Sequence, residues 1–462
     1  MTNMVALGIG TACSKLAVFL LMPIYTASMN PADFGAVDIL VNTAVLLLPL
    51  CSVYAPETVF RFIAGDKREG AVLAVGKWLL WRGGAVLCLL FPLLAGIPVI
   101  RPYWAHLLCY VAAAILHSYY AHILRARGQY GFFAVQQIFC TLTTVALAFL
   151  FLTVLGFGVK GYLAAVYLAD GITSVLLRCY LHPECDPKPD AALRRLMLRY
   201  GLPLIPTAAL WWVVSALDRY VLLWQHGAEA VGIYAAAYKL PVVMTLTSGI
   251  VLEIWQYVSL RVREGDQCKV FDRAYAMLLP TLSGVALTVI LGCRPLMGVL
   301  LAGNYMQAVI YVPFITVTLL FSALSGFLGS VYSLRLRSRA TLSTAALGAA
   351  VHVIGCFLLI PKFAALGAVL ATACSYFAVY LRRVADCRRM LPFSQRFGKL
   401  MLSVGGLLLT SIFVARGSMI ASFCCAPLAL APFWKEIGFM LNTTRVYLTK
   451  LFCFSAKKEK HY

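Results

Sequence analysis

Eight ionisable side chains fall inside long apolar stretches of this sequence: Lys15, Asp38, Arg82, Asp170, Asp218, Arg219, Lys239 and Glu253. Such groups are costly among apolar neighbours. Where they persist they pair with one another, carry protons or meet a charged ligand. Asp218 and Arg219 are adjacent, in Trp211-Trp-Val-Val-Ser-Ala-Leu-Asp-Arg-Tyr220. A hairpin near Gly227 would bring Lys239 to a comparable depth on the next helix. If Asp218 pairs with one cation, another is left free, and a free guanidinium fork matches phosphate oxygens. An ion pair between helices, with no ligand, is the equal alternative. Lys15 lies near the middle of the first apolar stretch, too deep to reach water easily. Arg61, with Glu57, lies at the mouth of the second. Asp38 is near a stretch end and could reach water, and Arg82 can extend its head group to water. The four positive and four negative charges cancel, so alone they do not define a cationic cavity. Asp170, Asp218 and Glu253 are the candidates for ion coupling.

The elements that hold these groups are membrane-spanning helices. The 462 residues are 62% hydrophobic and only 12% charged, with a mean hydropathy of +0.85. Fourteen apolar stretches are expected to span, at about 4–25, 36–54, 78–99, 105–123, 135–155, 161–177, 201–224, 232–257, 275–293, 308–332, 341–360, 364–381, 401–415 and 417–433. Roughly twenty helical residues cross a bilayer core of about 30 Å. Barrel strands would alternate apolar and polar residues, whereas runs such as Ala85-Val-Leu-Cys-Leu-Leu-Phe-Pro-Leu-Leu94 are continuous. Twelve of the spans are strongly marked; the last two are short or interrupted by Pro427 and Pro432.

The formal charge of +21 reflects topology rather than nucleic-acid binding. The tail and alternate connections hold 30 of the 39 Lys and Arg residues, and the opposite connections hold five: Arg101, Lys160, Arg294, Lys362 and Arg416. That alternation is the positive-inside pattern and places both termini in the cytoplasm. Cys185, Cys268 and Cys387 then lie on the cytoplasmic side, open to a thiol reagent only in broken cells. The fifteen cysteines form no Cys-x-x-Cys pair, and His117 and His122 are five apart, off ligand spacing. No metal site, cofactor or disulfide framework is inferred. There is also no P-loop, no Asp-x-Asp pair and no long outer loop, so an enzyme is not expected.

Two hairpin corners are alike: Asn30-Pro-Ala-Asp-Phe-Gly35-Ala-Val-Asp-Ile39 and Gly227-Ala-Glu-Ala-Val-Gly232-Ile-Tyr-Ala-Ala236. Gly35 and Gly232 are 197 residues apart, with an even number of spans between the corners. Parallel halves related by an axis along the membrane normal follow. The expected organisation is a first six-helix lobe over 1–190, a second over 191–391, and helices 13–14 with a basic tail over 392–462.

Leu202-Pro-Leu-Ile-Pro206, Trp211-Trp212, Asp218-Arg219-Tyr220 and the run Gly227 to Lys239 resemble the Wzx-like polysaccharide biosynthesis flippases. So do Ser14-Lys15, Pro23-Ile-Tyr25, Asn30 to Gly35 and Glu57-Thr-Val-Phe-Arg61-Phe62. The resemblance covers spans one to twelve and is weak beyond about residue 391. It implies the multidrug/oligosaccharidyl-lipid/polysaccharide exporter superfamily: an all-α polytopic membrane protein of 12–14 helices, in two parallel six-helix lobes around a central cavity. It further implies movement of an undecaprenyl-diphosphate-linked oligosaccharide from the cytoplasmic to the outer leaflet of a bacterial inner membrane, by alternating access. Cavity cations would meet the diphosphate, and the matching positions are Lys15, Arg61 and Arg219, with Asp218 as partner and Lys239 nearby. Implied partners are the lipid-linked oligosaccharide, membrane lipids, and glycosyltransferases and a polymerase of the same pathway. Rival readings are a multidrug exporter, a peptidoglycan-precursor flippase and, from another class, a membrane glycosyltransferase or polymerase.

Overall fold

The computed structural model describes residues 21–65, 68–184, 191–259, 266–335, 337–391, 394, 396–439 and 442. Every regular element among them is a helix. Eleven helical stretches are long and apolar enough to cross a membrane: Pro31–Cys51, Glu69–Leu90, Arg101–Ala126, Tyr130–Val154, Gly158–Leu181, Ala191–Tyr238, Gln267–Leu300, Val312–Tyr332, Arg339–Met390, Phe397–Ala415 and Met419–Phe439. The chain is a multi-pass membrane protein.

In chain order the helices are α1 (Met22–Ser28), α2 (Pro31–Cys51), α3 (Ala55–Ile63), α4 (Glu69–Ala95), α5 (Trp104–Ala126), α6 (Tyr130–Phe149), α7 (Gly158–Leu181) and α8 (Ala191–Gly201). They continue as α9 (Leu204–Tyr238), α10 (Val242–Ser259), α11 (Gln267–Leu300), α12 (Val312–Leu334), α13 (Ser338–Met390), α14 (Phe397–Ala415) and α15 (Met419–Leu430). Two of the long helices carry an internal break. Gly227 in α9 has φ 82° and ψ 176°, a conformation that glycine enters without a Cβ clash. Ala364 in α13 has φ 48° and ψ −127°, and it divides the expected spans at 341–360 and 364–381. The expected span at 232–257 is also interrupted: α9 ends at Tyr238 and α10 begins at Val242. Pro241 lies between them, and it lacks the N–H a continuing helix needs. The last two expected spans form as α14 and α15, with Pro427 inside the latter.

Contacts divide the chain into two compact units. The first comprises Met1–Lys239, Met297–Ala308 and Ala345–Ser375; the second comprises Leu240–Leu296, Val309–Thr344 and Tyr376–Tyr462. In the first unit a core forms around Ala55, Val59, Leu73, Tyr119, Leu177 and Met197. Met197 is the buried face of α8, whose Arg194 lies 5.0 Å over the Trp78 ring. Its run Leu193-Arg-Arg-Leu-Met-Leu-Arg-Tyr200 is amphipathic. In the second unit Trp255, Phe271 and Phe327 pack together, and the Trp255 indole donates to Ser330 at 2.8 Å. Arg383, expected in a basic connection, is instead 4% exposed within α13. It donates to the Ser325 carbonyl at 2.7 Å and to the Thr344 hydroxyl at 3.2 Å.

The two similar corners meet inside the first unit. Asn30 caps α2 by accepting the Asp33 N–H at 2.8 Å, with Pro31 in the first turn. The second corner turns at Gly227. A Cβ on Gly35 would overlap the Ala228 carbonyl and lie 2.8 Å from the Gly232 nitrogen. A Cβ on Gly232 would overlap the Pro31 carbonyl and lie 3.0 Å from the Gly35 nitrogen. Pro31 and Ala228 are separated by the same 197 residues as Gly35 and Gly232. The contact is therefore reciprocal, as at a two-fold axis, and it supports the repeat on geometric grounds.

Candidate functional site

The break at Gly227 folds the second half of α9 back beside the first. That places Tyr234 and Tyr238, one turn apart, next to Asp218 and Arg219. Arg219 is 7% exposed and Asp218 1%. The Arg219 Nε lies 2.8 Å from Asp38 Oδ2 on α2, and its Nη1 lies 3.2 Å from Asp218 Oδ1. Nη1 also donates to the Ser215 carbonyl at 2.7 Å. The guanidinium sits 4.8 Å from the Tyr238 ring centre and 5.4 Å from that of Tyr234, an arrangement favourable for cation–π attraction.

Asp218 has further donors. Its Oδ1 accepts the Arg219 backbone N–H at 2.9 Å, and its Oδ2 accepts the Tyr234 hydroxyl at 2.5 Å and the Thr372 hydroxyl at 3.3 Å. Thr372 in turn lies 3.2 Å from His352 Nε2, whose Nδ1 is 2.9 Å from the Val213 carbonyl. Two carboxylates thus hold one guanidinium. Lys239, with Nζ 5.5 Å over the Phe34 ring, interacts electrostatically with both Asp38 and Arg219. The four formal charges sum to zero, which is how a buried polar cluster avoids the penalty of a lone ion.

Of the residues expected at a site, the structure brings Asp218, Arg219 and Lys239 together. Asp218 pairs with Arg219, the partnership the resemblance implies, and Asp38 engages the same guanidinium, so the arrangement is the ion pair between helices and not the free guanidinium. One detail differs from expectation. Asp38 does not turn to water; its side chain is 15% exposed and faces Arg219. Its expected place near a span end hid that role, because the Gly35 contact draws this end of α2 against α9. Arg61 stands apart, exposed in the last turn of α3, which Glu57 opens. Lys15 lies outside the described residues, and the Glu253 side chain does so too, on α10. Asn42, Tyr220, Tyr234, Thr372 and His352 were not singled out from sequence. The Trp212 indole donates to the Asn42 carbonyl at 2.7 Å, and the Tyr220 hydroxyl lies 2.8 Å from that of Thr43. Only the Tyr234-x-x-x-Tyr238 spacing, beginning about two helical turns beyond the Gly227 break, offered a signal.

Asp170 belongs to a second cluster. His117 on α5 places Nδ1 2.8 Å from Asp170 Oδ1 on α7, and Nε2 2.9 Å from Gln136 Oε1 on α6. The Cys140 thiol donates to the same Asp170 oxygen at 3.5 Å. Donor atoms of His117, Cys140 and Asp170 lie within 4.8 Å of one another, the one grouping of possible metal ligands among the described residues. A metal there would have to displace the His117–Asp170 hydrogen bond. His122 and His117, five residues apart, border one cavity beside this cluster.

Residues 1–258 match the model of a family described as polysaccharide biosynthesis protein. No curated protein sequence matches the chain. Among solved structures, the lipid II flippase MurJ in an inward closed conformation aligns with a TM-score of 0.68 at 11% identity, covering 94% of this chain and 99% of that one. An inward-facing MATE-family multidrug resistance transporter of the MOP superfamily has a TM-score of 0.68 at 13% identity, covering 82% and 94%. A MOP-superfamily transporter from Pyrococcus furiosus gives 0.61 at 14% identity, covering 84% and 94%. At these identities the likeness is one of fold: the helical fold is similar to that of the three transporters. With more than half of its length matched, the chain belongs to the polysaccharide biosynthesis protein family.

Proposed function

We propose that this protein is a flippase that moves an undecaprenyl-diphosphate-linked oligosaccharide from the cytoplasmic to the outer leaflet of a bacterial inner membrane, by alternating access. The observation that carries the reading is the pairing of a polysaccharide biosynthesis family match with a transporter fold. A chain built almost wholly of membrane helices has little else with which to serve glycan assembly than passage of a lipid-linked intermediate. The organisation in two six-helix lobes, 1–190 and 191–391, with both termini in the cytoplasm, is part of this reading.

The diphosphate would meet Arg61, Lys15 and Lys239 first. Arg219 is held by Asp38 and Asp218, so it reaches phosphate only by exchanging one carboxylate for another anion. Such an exchange makes its contacts differ between conformations, and differential binding is what a ligand needs in order to shift an equilibrium. The glycosyltransferases and polymerase of the same pathway are the natural protein partners.

The test is reconstitution in vesicles with a fluorescent undecaprenyl-diphosphate oligosaccharide, its sugar arrival scored by a membrane-impermeant glycosidase. Protein-dependent arrival, reduced tenfold or more in Lys239→Met, is expected. Translocation of lipid II at a higher rate, or drug efflux with no effect on the glycan lipid, would replace this reading with one of its superfamily rivals.

A further inference from the structure

The cluster around His117 has the chemistry of a proton site. Gln136 is 4% exposed, and its Nε2 has no hydrogen-bond partner among the described residues. Its Oε1 faces His117 Nε2 at 2.9 Å while Asp170 Oδ1 faces Nδ1 at 2.8 Å. An imidazole between two acceptor oxygens carries a proton on each nitrogen. A half-turn of the Gln136 amide would instead aim its N–H at Nε2, which suits the neutral ring. Ring charge and amide orientation therefore change together. The unsatisfied Nε2 marks the second position of this two-state element.

A cavity of about 390 Å³ borders the pair, lined by His117, Asp170, Ser118, His122 and Arg125 among others. It reaches the last turn of α5, the end that the charge pattern assigns to the cytoplasm. Asp170 from α7 faces His117; Cys140 from α6 and Tyr110 on α5, itself beside Tyr162 of α7, face Asp170; and His122 and Arg125 on α5 line the same cavity. Glu57 from α3 interacts with His122. Asp38 of α2, which packs on α5 and α7, is engaged by Arg219.

We propose that His117, Asp170 and Gln136 form a proton-binding site, filled through this cavity, and that its loading and release couple a proton to translocation. The coupling clause rests on the transport reading; the proton site does not. The step is a simple transfer: water delivers a proton to His117 Nε2, the Gln136 amide turns from donor to acceptor, and release reverses both. No redox change is involved.

The test follows the ring directly. Histidine-labelled full-length protein is titrated by nitrogen NMR between about pH 5 and pH 8, the range in which imidazole changes charge. One resonance is expected to titrate and to vanish in His117→Gln. Asp170→Asn should lower its proton affinity at least tenfold, and Gln136→Glu should raise it at least tenfold, a shift of about one pH unit. A His117 ring that stays neutral throughout, or titrates identically in both variants, overturns the site. If His117→Gln does not fold, the near-isosteric Gln136→Glu decides alone. In vesicles, an imposed pH gradient should change the translocation rate severalfold in the natural protein and not in Gln136→Glu; equal response in both overturns the coupling. Normal titration with no movement of the glycan lipid under any gradient refutes the transport reading and leaves the proton site standing.

Discussion

Replacing Arg219 by Met removes the cation from the centre of the buried network while keeping an apolar stem of similar length. Asp218 would retain three donors: the residue-219 backbone N–H, the Tyr234 hydroxyl and the Thr372 hydroxyl. Asp38 would lose the cation that lies 2.8 Å away, and this end of α2 is held against α9. Deleting one member of a buried ion pair costs about 3–5 kcal/mol, because the other charge is stranded. That corresponds to a shift of roughly a hundredfold to a few thousandfold in the unfolding equilibrium. Adding Asp38→Asn removes the stranded charge. The double variant should therefore recover at least about 2 kcal/mol over Arg219→Met alone, a coupling large enough for a double-mutant cycle. Equilibrium unfolding of the purified full chain in mixed micelles, followed by tryptophan fluorescence, measures all four corners of the cycle. A loss below about 1 kcal/mol for Arg219→Met, or a double variant no more stable than the single one, would refute the claim that the carboxylates hold this guanidinium.

Gly35→Ala and Gly232→Ala should each lower stability by about 1–3 kcal/mol through overpacking, read in the same unfolding assay; a neutral effect at both would mean that the corners are free to separate. Of the three cysteines expected on the cytoplasmic side, Cys185 lies outside the described residues, and thiol labelling should divide the other two. Cys268 is partly exposed and should react with an impermeant reagent in opened cells only. Cys387 is buried, with its thiol 3.3 Å from the Leu328 carbonyl, and should stay unlabelled in both preparations until the protein is denatured.

The helical architecture was legible because its signal is local. Apolar runs separated by basic connections mark spans one at a time, and Gly227 announces the break the backbone takes there, whereas the break at Pro241 falls inside a stretch expected as one continuous span. The likeness of the Asn30–Ile39 and Gly227–Ala236 corners was legible too, although nothing in it said that they touch. Asp218 and Arg219 drew notice as a charged pair in an apolar segment. Asp38 reads from sequence as a charge near a span end and not as their partner, and Tyr234 and Thr372 drew no notice, because the packing brings all three in with rotations that spacing along the chain does not encode. His117, Gln136 and Asp170 are a sharper case. They lie 19 and 53 residues apart on three helices; Asp170 stands out in the sequence as a buried charge, but nothing there gives it His117 and Gln136 as partners, and only packing makes them a unit. Arg383 was placed among loop cations because it adjoins Arg382 and two further arginines, yet it points inward to a carbonyl and a hydroxyl.

What Gly35 and Gly232 abut is main chain, not side chain. A bulky substitution in a packed interior can be relieved by trimming its neighbour, but a carbonyl offers nothing to trim. Suppressors of Gly35→Ala should therefore not arise at Ala228, nor those of Gly232→Ala at Pro31, by exchange for smaller residues. They would have to act at a distance, by letting a whole helix slide. The demand for bare backbone therefore falls twice, at Gly35 and at Gly232, and neither corner can drift there without the other registering it.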